Sequence, residues 1–301
     1  MTDVLVIGSL NADLVVRAPY FPKPGETISG DDLQIIPGGK GANQAVAAAR
    51  QGASVAMLGR VGSDSFGPFL LDSLKSNHVD VTRVRADGSA TGTATIIVDG
   101  NGQNSIVLSA GANGKVSPAD VDSASALRPK LILLQLEIPI PTVLYAAQRA
   151  RQNGSRVILN PAPAKSIPDE LISLADFIIP NETELSLLTG MDVKDIPSAE
   201  QAAKVLLDRD AKNVIVTLGS KGALLVSDNQ TTQVVAYKVN VVDTTAAGDA
   251  FIGGFASALL RGLSPEEAVK YANACGALAT TKFGAQPSLP TREETERFMS
   301  P

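Results

Sequence analysis

A nine-residue segment from Asp243 to Phe251 carries the residue types best able to do chemistry in this chain. Its centre, Ala246-Ala247-Gly248, has almost no side chains and lies between a strand-like run, 237–242, and a helical pattern, 251–260. Bare backbone N–H groups at the start of a helix bind anions, and the helix dipole adds to the attraction. Asp249 follows immediately. The segment predicts an anion hole for a transferring phosphoryl group, with Asp249 as the general base beside it.

Asp249 also has a purely structural interpretation. An acidic residue in the first turn of a helix complements the dipole, and small residues are common where a helix packs closely on a sheet. A short motif alone does not decide between the two interpretations.

The composition of the chain excludes several classes of function. The 301 residues are 44% hydrophobic, with 26 Lys plus Arg against 31 Asp plus Glu and a net charge of -5. This mild charge, without a dense basic cluster, argues against nucleic acid as a partner. The sequence has no apolar run of about 18 residues and no secretory signal pattern, so we expect no membrane association. A single cysteine excludes an intrachain disulfide and fits the cytoplasm.

The lone histidine and the lone cysteine offer little catalytic potential. His78 follows the probable helix 66–76 and is predicted at the surface, whereas Cys275 lies in an Ala-rich helical stretch and is predicted in the core. Zinc chemistry and a Ser-His-Asp triad are therefore excluded, and catalysis must use carboxylates, amides, lysine, hydroxyls and the backbone.

Strand and helix patterns alternate along most of the chain. This is typical of an α/β fold with a doubly wound, mainly parallel sheet and helices on both faces. Predicted strands are 4–7, 55–58, 131–136, 157–159, 177–179 and 214–217, and predicted helices include 42–51 and 66–76. Ser264 and Thr291 begin capping motifs for two further helices.

Two segments interrupt this alternation, 11–37 and 91–109. The second reads as strands 93–98 and 105–108 joined by Asp99-Gly100-Asn101-Gly102, a hairpin signal. Neither segment has helices to cover it, so we predict that they pair as a small β-sheet lid inserted in a single domain, 1–301.

Polar residues follow several predicted strands, where ligands bind in doubly wound sheets. Asn11 and Asp13 could bind paired sugar hydroxyls, although an Asx-turn explains them equally well. Glu137 follows the most hydrophobic strand and is predicted to be functional. The glycine turn before Asn43 contains Lys40 but lacks the spacing of a P-loop.

Two more strand ends are candidates for nucleotide contacts. Asn181 is a natural N-cap, and Glu184 in the same turn could orient waters on a Mg²⁺ ion held mainly by ATP. The turn from Thr217 to Gly222 could let backbone approach a nucleotide, with a simple β-turn as the alternative.

Together these motifs resemble the PfkB carbohydrate-kinase family, and within it the ribokinases. The resemblance runs along nearly the whole chain in the family's order: 8–13, 38–45, 160–164, 180–184, 243–249 and 284–288. It implies a ribokinase-like fold and ATP-dependent phosphorylation of the 5-hydroxyl of D-ribose, with Asp249 as base and the amides of Ala246, Ala247 and Gly248 as anion hole.

The same resemblance assigns binding residues. Sugar contacts map to Asn11, Asp13, Gly39, Lys40, Asn43 and Glu137. Nucleotide contacts map to Asn181, Glu184, Thr217, Gly219, Gly222 and Asn273. The cofactor expected with ATP is Mg²⁺, placed through water at Glu184.

The resemblance further implies a K⁺ activator and a homodimer formed through the lid. The K⁺ ligands map to Asp243, Thr245, Ala279, Lys282, Gly284 and Ser288. Ala246 departs from the Gly common in the wider family, but it still offers its N–H, so we expect activity to be retained.

Other functions remain open from the sequence. Within the family they are fructokinase, adenosine kinase or another sugar or nucleoside kinase, and outside catalysis a silent sugar-binding regulator. A NAD-dependent oxidoreductase lacks support because no G-x-G-x-x-G follows the first strand.

Overall fold

The computed structural model describes residues 2–228 and 230–300, in which strands and helices alternate as predicted. The strands are β1 Val4–Ile7, β2 Asn11–Arg17, β3 Gln34–Gly38, β4 Val55–Gly62, β5 Asp80–Asp87, β6 Gly92–Val98, β7 Asn104–Ser109, β8 Leu131–Leu134, β9 Arg156–Leu159, β10 Phe177–Ile178, β11 Asn213–Thr217, β12 Ala223–Ser227 and β13 Gln230–Val234. The helices are α1 Lys40–Arg50, α2 Phe66–Ser76, α3 Pro118–Ser123, α4 Ile140–Gln152, α5 Asp169–Leu174, α6 Glu182–Thr189, α7 Ile196–Leu207, α8 Ala247–Leu260, α9 Pro265–Ala279 and α10 Arg292–Met299.

A nine-stranded sheet runs in the order β13-β12-β11-β10-β9-β8-β1-β4-β5. The strands from β11 to β5 are parallel, and only β12 and β13 pair antiparallel, at one edge. The prediction of a doubly wound, mainly parallel sheet is confirmed.

Both faces of this sheet are covered by helices. In β1 the side chains of Val4 and Val6 join one hydrophobic cluster, and those of Leu5 and Ile7 join the other, because successive strand residues point to opposite faces. Helices α1, α2, α8 and α9 supply the first cluster, while α3 to α7 supply the second. A strand buried on both faces must be apolar throughout, which explains the uniformly apolar runs of the sequence.

A second, four-stranded sheet has the order β3-β2-β6-β7. The segments 11–37 and 91–109 therefore do pair with each other, through the parallel contact of β2 with β6. The predicted hairpin joins β6 to β7, and the Asp99 carboxylate accepts hydrogen bonds from the backbone N–H groups of Asn101 and Gln103. The use of this small sheet as a lid stays a prediction.

The prediction of a strand over 237–242 is wrong. This run makes no ladder, and the backbone N–H groups of Val242 and Asp243 instead donate to the carbonyl of Thr280, just after α9. Val241 and Val242 are exposed, so the alternation of apolar and polar residues reflects no buried face. The following helix also begins earlier than predicted, at Ala247, after a left-handed turn at Ala246.

Smaller differences concern strand ends and one edge. The strand predicted to reach Leu136 ends at Leu134, because the Leu136 N–H donates to Ala162 outside the sheet. The strand predicted over 177–179 ends one residue early. Strand β5 was not predicted, since it forms an edge and its residues are only partly buried.

Other local predictions are confirmed. Helix α2 has the expected bounds, and Ser264 and Thr291 make the expected capping boxes. His78 is exposed, whereas Cys275 is buried, and burial raises the pKa of its thiol to about 12. None of the helices in the described ranges has the length and apolar content that a membrane crossing requires.

The start of α1 is brought beside the start of α8 by a close helix crossing. A Cβ added at Gly253 would lie 2.4 Å from the Cβ of Ala47 and 2.6 Å from the backbone N of Ala48. The Ser257 hydroxyl donates to the Ala48 carbonyl at 3.1 Å one turn further on. Only glycine at position 253 allows this approach, and the approach places the first turns of the two helices side by side.

We predict that Gly253→Ala lowers the free energy of unfolding by about 2 kcal/mol, because the added methyl must push α8 away from α1. Chemical denaturation followed by circular dichroism measures the change. Gly114→Ala is the matched control, since its new Cβ would make only an ordinary 3.6 Å contact with Ala110. Equal stability of the two variants would show that the crossing is not tight.

Candidate active site

The polar residues predicted at strand ends do gather along one edge of the large sheet. Ser9, Asn11 and Asp13 follow β1, Gln135 and Glu137 follow β8, Asn160 follows β9, and Asn181 follows β10. Because β1, β8, β9 and β10 are parallel neighbours, their carboxyl ends meet at this edge. The starts of α1 and α8 lie over the same edge.

Glu137 ties three parts of the chain together through one oxygen. Its Oε2 accepts hydrogen bonds from Ser9 Oγ at 2.5 Å, the Lys40 backbone N at 3.1 Å and Asn11 Nδ2 at 3.4 Å. The Gly41 N–H in turn donates to Ser9 Oγ at 3.2 Å. Glu137 therefore joins the end of β8 to the first turn of α1 and the base of the small sheet.

Asn113 fixes the orientation of the Asn11 amide. Its Nδ2 donates to Asn11 Oδ1 at 2.7 Å and to the Leu10 carbonyl at 3.0 Å, while its Oδ1 accepts from the Leu10 N–H at 2.9 Å. The Asn11 nitrogen consequently faces Glu137. A Cβ at Gly92 would lie 2.1 Å from Asn113 Nδ2, so only glycine fits there.

Asp249 is held at the start of α8 by two side-chain amides from α1. Asn43 Nδ2 donates to its Oδ2 at 2.9 Å, and Gln44 Nε2 donates to its Oδ1 at 3.0 Å. Burial raises the pKa of Asp249, while Lys40 and these two hydrogen bonds act in the opposite direction. Asn43 Oδ1 is buried beside this carboxylate without a hydrogen-bond partner among the described residues.

Four carboxylates lie close enough to influence the charge of the Lys40 side chain. Burial alone would lower the pKa of its ammonium, but Asp249, Glu137, Glu184 and Asp13 together raise it. The sequence placed these groups at four separate motifs, and the fold brings their charges together. A single cation among four acidic groups leaves room for further positive charge, or for protons.

Asp13 is the acid most affected by this arrangement. Burial, and then repulsion from Glu137 and Asp249, raise its pKa to about 7, against an ordinary value of 3.8. Its carboxylate also lies directly against β3, where a Cβ at Gly38 would be 2.1 Å from Asp13 Oδ2. The absence of a side chain at Gly38 is therefore needed to seat this acid.

The loop before α8 forms the expected small-residue turn. Ala246 is in the left-handed region with φ 60°, and the Ala247 N–H makes a long hydrogen bond, 3.3 Å, to the Thr244 carbonyl. The backbone of Ala246, Ala247 and Gly248 thus lies at the positive end of α8, beside Asp249.

Asp243 joins this loop to the loop after α9. Its Oδ1 accepts from the N–H and hydroxyl of Thr245, at 2.9 and 2.7 Å, and its Oδ2 accepts from the Gly284 N–H at 2.9 Å. Although burial raises the pKa of Asp243, these hydrogen bonds lower it overall. Among the other residues of the predicted K⁺ set, Ala279 is the last residue of α9, and Lys282 and Ser288 lie in the segment that follows it.

The residues predicted for the nucleotide form two connected groups. Asn181 and Glu184 make a capping box at α6, and Thr217 forms a bridge to Asn181 at the neighbouring strand end. The second group is Asn273 and Gly222, which meet at the end of β13. Asn273 Nδ2 donates to the carbonyls of Val234 and Val235. A Cβ at Gly222 would lie 2.0 Å from the Val234 carbonyl oxygen. Gly219 lies in the turn between the groups, in the left-handed region.

The position of Glu184 is compatible with both interpretations of its motif, a helix-capping residue and a residue of the active site. Its Oε2 accepts from the Asn181 N–H at 2.9 Å and its Oε1 from Asn181 Nδ2 at 3.0 Å, as an N-cap partner should. Burial is the main cause that raises its pKa, and Lys40 and Asp249 are close enough to influence it. The cap therefore faces the cluster of charges and not bulk solvent.

A cavity of about 730 Å³ lies between the small sheet and two loops, the one before α8 and the one after α9. Asp13, Arg17 and Ile96 line it from the sheet, and Asp243 and Phe283 from the loops. Arg17 lies 4.7 Å above the Phe283 ring, so the small sheet and the loop after α9 touch across the cavity. Across the described residues, no group of three or more His, Cys, Asp and Glu side chains could hold a metal by itself.

Sequence reasoning missed the amides that orient these acids. Gln44 and Asn113 each contact a site residue more than a hundred positions away, and Gln135 and Asn160 contact Gln44. Gln135 gave one signal, because it is the polar residue that interrupts the apolar run 131–136.

Comparisons with known proteins agree along the whole chain. Residues 1–292 match the family described as pfkB family carbohydrate kinase. A ribokinase of Haemophilus influenzae is 46% identical over 98% of this chain and 97% of its own length, and a deoxyribokinase of Salmonella typhi is 41% identical over 99% of both. The structure of Arabidopsis thaliana ribokinase complexed with ribose and ATP superposes with a TM-score of 0.91, at 36% identity and 99% coverage of both chains.

We predict that Asp13→Asn stabilises the protein at pH 8 and much less at pH 4.5. Because the folded-state pKa of Asp13 is raised from 3.8 to about 7, the stability from its protonated form is lost as the pH rises through this window. Asparagine carries no charge, so the advantage should reach on the order of 3 kcal/mol above pH 7.

Urea unfolding at the two pH values measures this difference. Asp32→Asn, at an exposed position, is the control and should change neither value by more than about 0.5 kcal/mol. A pH-independent effect of Asp13→Asn would contradict the raised pKa.

Proposed function

The chain belongs to the pfkB family of carbohydrate kinases, and on that basis we propose that it transfers the γ-phosphoryl group of ATP to the 5-hydroxyl of D-ribose. The observation that carries this proposal is the buried Asp249 carboxylate at the small-residue start of α8, held by two amides of α1. Relatives named ribokinase from several organisms, 40–46% identical over nearly the full chain, support ribose as the acceptor.

In this proposal Asp249 is the base that receives the proton of the acceptor hydroxyl. A carboxylate is too weak to ionise an alcohol in advance, but the hydroxyl becomes acidic as its oxygen bonds to phosphorus in a loose transition state. The N–H groups of Ala246, Ala247 and Gly248 and the dipole of α8 would stabilise the negative charge on the migrating group.

The sugar would lie among Asn11, Asp13, Gly39, Lys40, Asn43 and Glu137. The unpaired Asn43 Oδ1 supports this placement, since a buried acceptor next to the base suits a hydroxyl donor. Asp13 would accept from sugar hydroxyls once ionised. Burying the sugar between these groups would also replace water around Asp249.

ATP would approach from the side of Asn181, Glu184, Thr217, Gly219, Gly222 and Asn273. Mg²⁺ bound to the phosphates would neutralise part of their charge, and the Glu184 carboxylate fits a role through water because it keeps lone pairs beside its capping bonds. The acidic cluster around Lys40 is consistent with a partner that brings positive charge into the site.

We further propose that K⁺ activates the protein from the loops before α8 and after α9. The proposed ligands, Asp243, Thr245, Ala279, Lys282, Gly284 and Ser288, would offer one carboxylate, one hydroxyl and several carbonyls, which suits a hard cation. Asp243 already connects the two loops. An ion there would fix the anion hole without touching the phosphate.

Three other acceptors and one non-catalytic role are alternatives to ribose phosphorylation. The deoxyribokinase relative makes 2-deoxyribose the strongest alternative, ahead of fructose and adenosine. A silent sugar-binding regulator would have little use for Asp249, because a carboxylate beside phosphate adds little to ground-state binding. A cytoplasmic location fits a kinase that uses ATP, and it stays a prediction.

We predict that the purified protein, given ATP and Mg²⁺, forms ADP with D-ribose faster than with 2-deoxyribose, fructose or adenosine. A coupled ADP assay with and without K⁺ measures the rates, and K⁺ should raise them relative to Na⁺. Asp249→Asn should lower kcat about a thousandfold or more while changing ribose affinity less than about tenfold, as expected for a group used in the transition state.

The outcomes separate the competing functions. Faster turnover of 2-deoxyribose would reassign the acceptor, and no turnover with any of these acceptors would favour a regulator. A large loss of ribose affinity in Asp249→Asn, with little loss of rate, would make Asp249 a binding residue instead of the base.

We also propose that two copies of the chain associate through the small sheet. Strand β7 forms one edge of this sheet with all six residues exposed, including Ile106, Val107 and Leu108. An exposed apolar edge strand is a template for association, which a second copy would cover.

Sedimentation velocity should therefore give about twice the mass of 31.1 kDa for the native chain. Val107→Lys, which places a charge on this edge, should shift the mass to that of one chain. Leu187→Lys, at an exposed apolar residue on α6, is the control and should leave the mass unchanged. A native chain that sediments as a monomer at micromolar concentration would exclude the dimer.

A further inference from the structure

Gln44 lies behind the base, on the side away from solvent. It is fully buried, and its Nε2 donates both to Asp249 Oδ1 at 3.0 Å and to Asn160 Oδ1 at 3.1 Å. Its Oε1 accepts from Gln135 Nε2 at 2.6 Å. All the polar atoms of this side chain are thus engaged with other parts of the protein.

The direction of these hydrogen bonds is set by a backbone carbonyl. Asn160 Nδ2 donates to the Ile179 carbonyl at 3.0 Å, and a carbonyl can only accept. Asn160 must therefore turn its oxygen toward Gln44, so Gln44 must present its nitrogen. The Gln44 oxygen is left for Gln135, whose nitrogen faces it.

The three supporting groups come from neighbouring strands. Gln135 follows β8, Asn160 follows β9 and Ile179 follows β10, and these strands are adjacent in the sheet. The row of amides therefore runs along the carboxyl edge of the sheet, directly below Asp249. Because these partners are attached to adjacent, hydrogen-bonded strands, their donors and acceptors allow the Gln44 amide one orientation.

This arrangement matters for a buried base. Burial favours the protonated acid, which could not collect a proton, and each N–H donor favours the ionised form instead. Asn43 also lies among the proposed sugar contacts, whereas Gln44 is fully buried and is not one of them, so the hydrogen bond from Gln44 to Asp249 does not depend on the sugar. A carboxylate has about four lone-pair directions, so two donors leave others for the acceptor hydroxyl.

We propose that Gln44 is a positioning residue for phosphoryl transfer: its amide, oriented by Asn160 and Gln135, holds Asp249 Oδ1 and keeps this carboxylate ionised and aimed at the acceptor. The proposal rests on the proposed sugar-kinase function. It assigns to Gln44 a role in the charge of the base, beyond packing of α1.

The test is the pH dependence of kcat in Gln44→Met, which keeps the side-chain length and removes the donor. Loss of a hydrogen bond to a charged group should move the acid limb of the profile upward by about one to two pH units. The rate should then fall near neutral pH and recover partly at higher pH. The KM for the sugar should stay within about threefold, since Gln44 is shielded from the cavity.

Gln51→Met is the matched control. Gln51 is a buried glutamine directly after the last residue of the same helix, with three side-chain hydrogen bonds, to Pro290, Thr295 and Tyr271. It should lose stability without moving the acid limb. The titrations of ATP and of Asp13, whose pKa is about 7, are common to all variants, as are the charges of Lys40, Glu137 and Glu184 that act on Asp249. Differences between the curves therefore report on Asp249 itself.

Gln135→Leu provides a second, independent variant if Gln44→Met does not fold. It adds no charge and removes the donor to Gln44 Oε1, so the Gln44 amide loses one of the contacts that orient it and the acid limb should again move upward. The positioning role would be overturned if the folded variants kept the acid limb of their kcat–pH profile at the native pH. An equal shift in Gln51→Met would overturn it as well. A native chain inactive with every sugar would instead contradict the proposed function, so the two failures are distinguishable.

Discussion

The close crossing of α1 over α8 is the contact on which the rest of the site depends. Gly253 lets the two helices approach until their first turns are neighbours, and Ser257 adds a hydrogen bond to the Ala48 carbonyl. The amides at the start of α1 then reach the acid at the start of α8. Two positive helix ends point at one place, which suits a reaction in which negative charge moves between two oxygens.

The site is assembled at a cost in stability. Burying Asp13 near Glu137 and Asp249 opposes folding above the pKa of Asp13, and the left-handed Ala246 adds backbone strain. Such features persist because the two-faced core around the large sheet supplies a large stabilising free energy. Substrates that donate hydrogen bonds or bring cations would relieve part of the repulsion.

The sequence predicted the local features well. Helix α2, the hairpin at Asp99 and the N-cap at Asn181 depend on neighbouring residues, and periodicity and capping chemistry are local signals. The alternation of apolar and polar residues over 237–242 led to a wrong prediction of a strand, because periodicity does not reveal whether a partner strand is present. The motif at 246–249 does form the predicted turn of small residues at the start of α8, but the sequence did not show which residues lie next to it in space.

Those neighbours were hidden because they join distant parts of the chain. Gln44 meets Asp249 across 205 positions, and Asn113 meets Asn11 across 102. An amide carries no signature that marks it as an orienting group, since the same residue caps turns or faces solvent elsewhere. Only the strand order that places β8, β9 and β10 side by side makes the row of amides visible.

The anchoring of the small sheet restricts how it can move. At Asn11 and Gly92 it is fastened by Asn113 and by Glu137, whereas its far end at the hairpin touches the body near Arg17 and Phe283. If this sheet acts as the predicted lid, we expect it to pivot about the end held by Asn113 and Glu137. Small molecules would then enter and leave past Phe283, and the acids near the fixed end would keep their geometry.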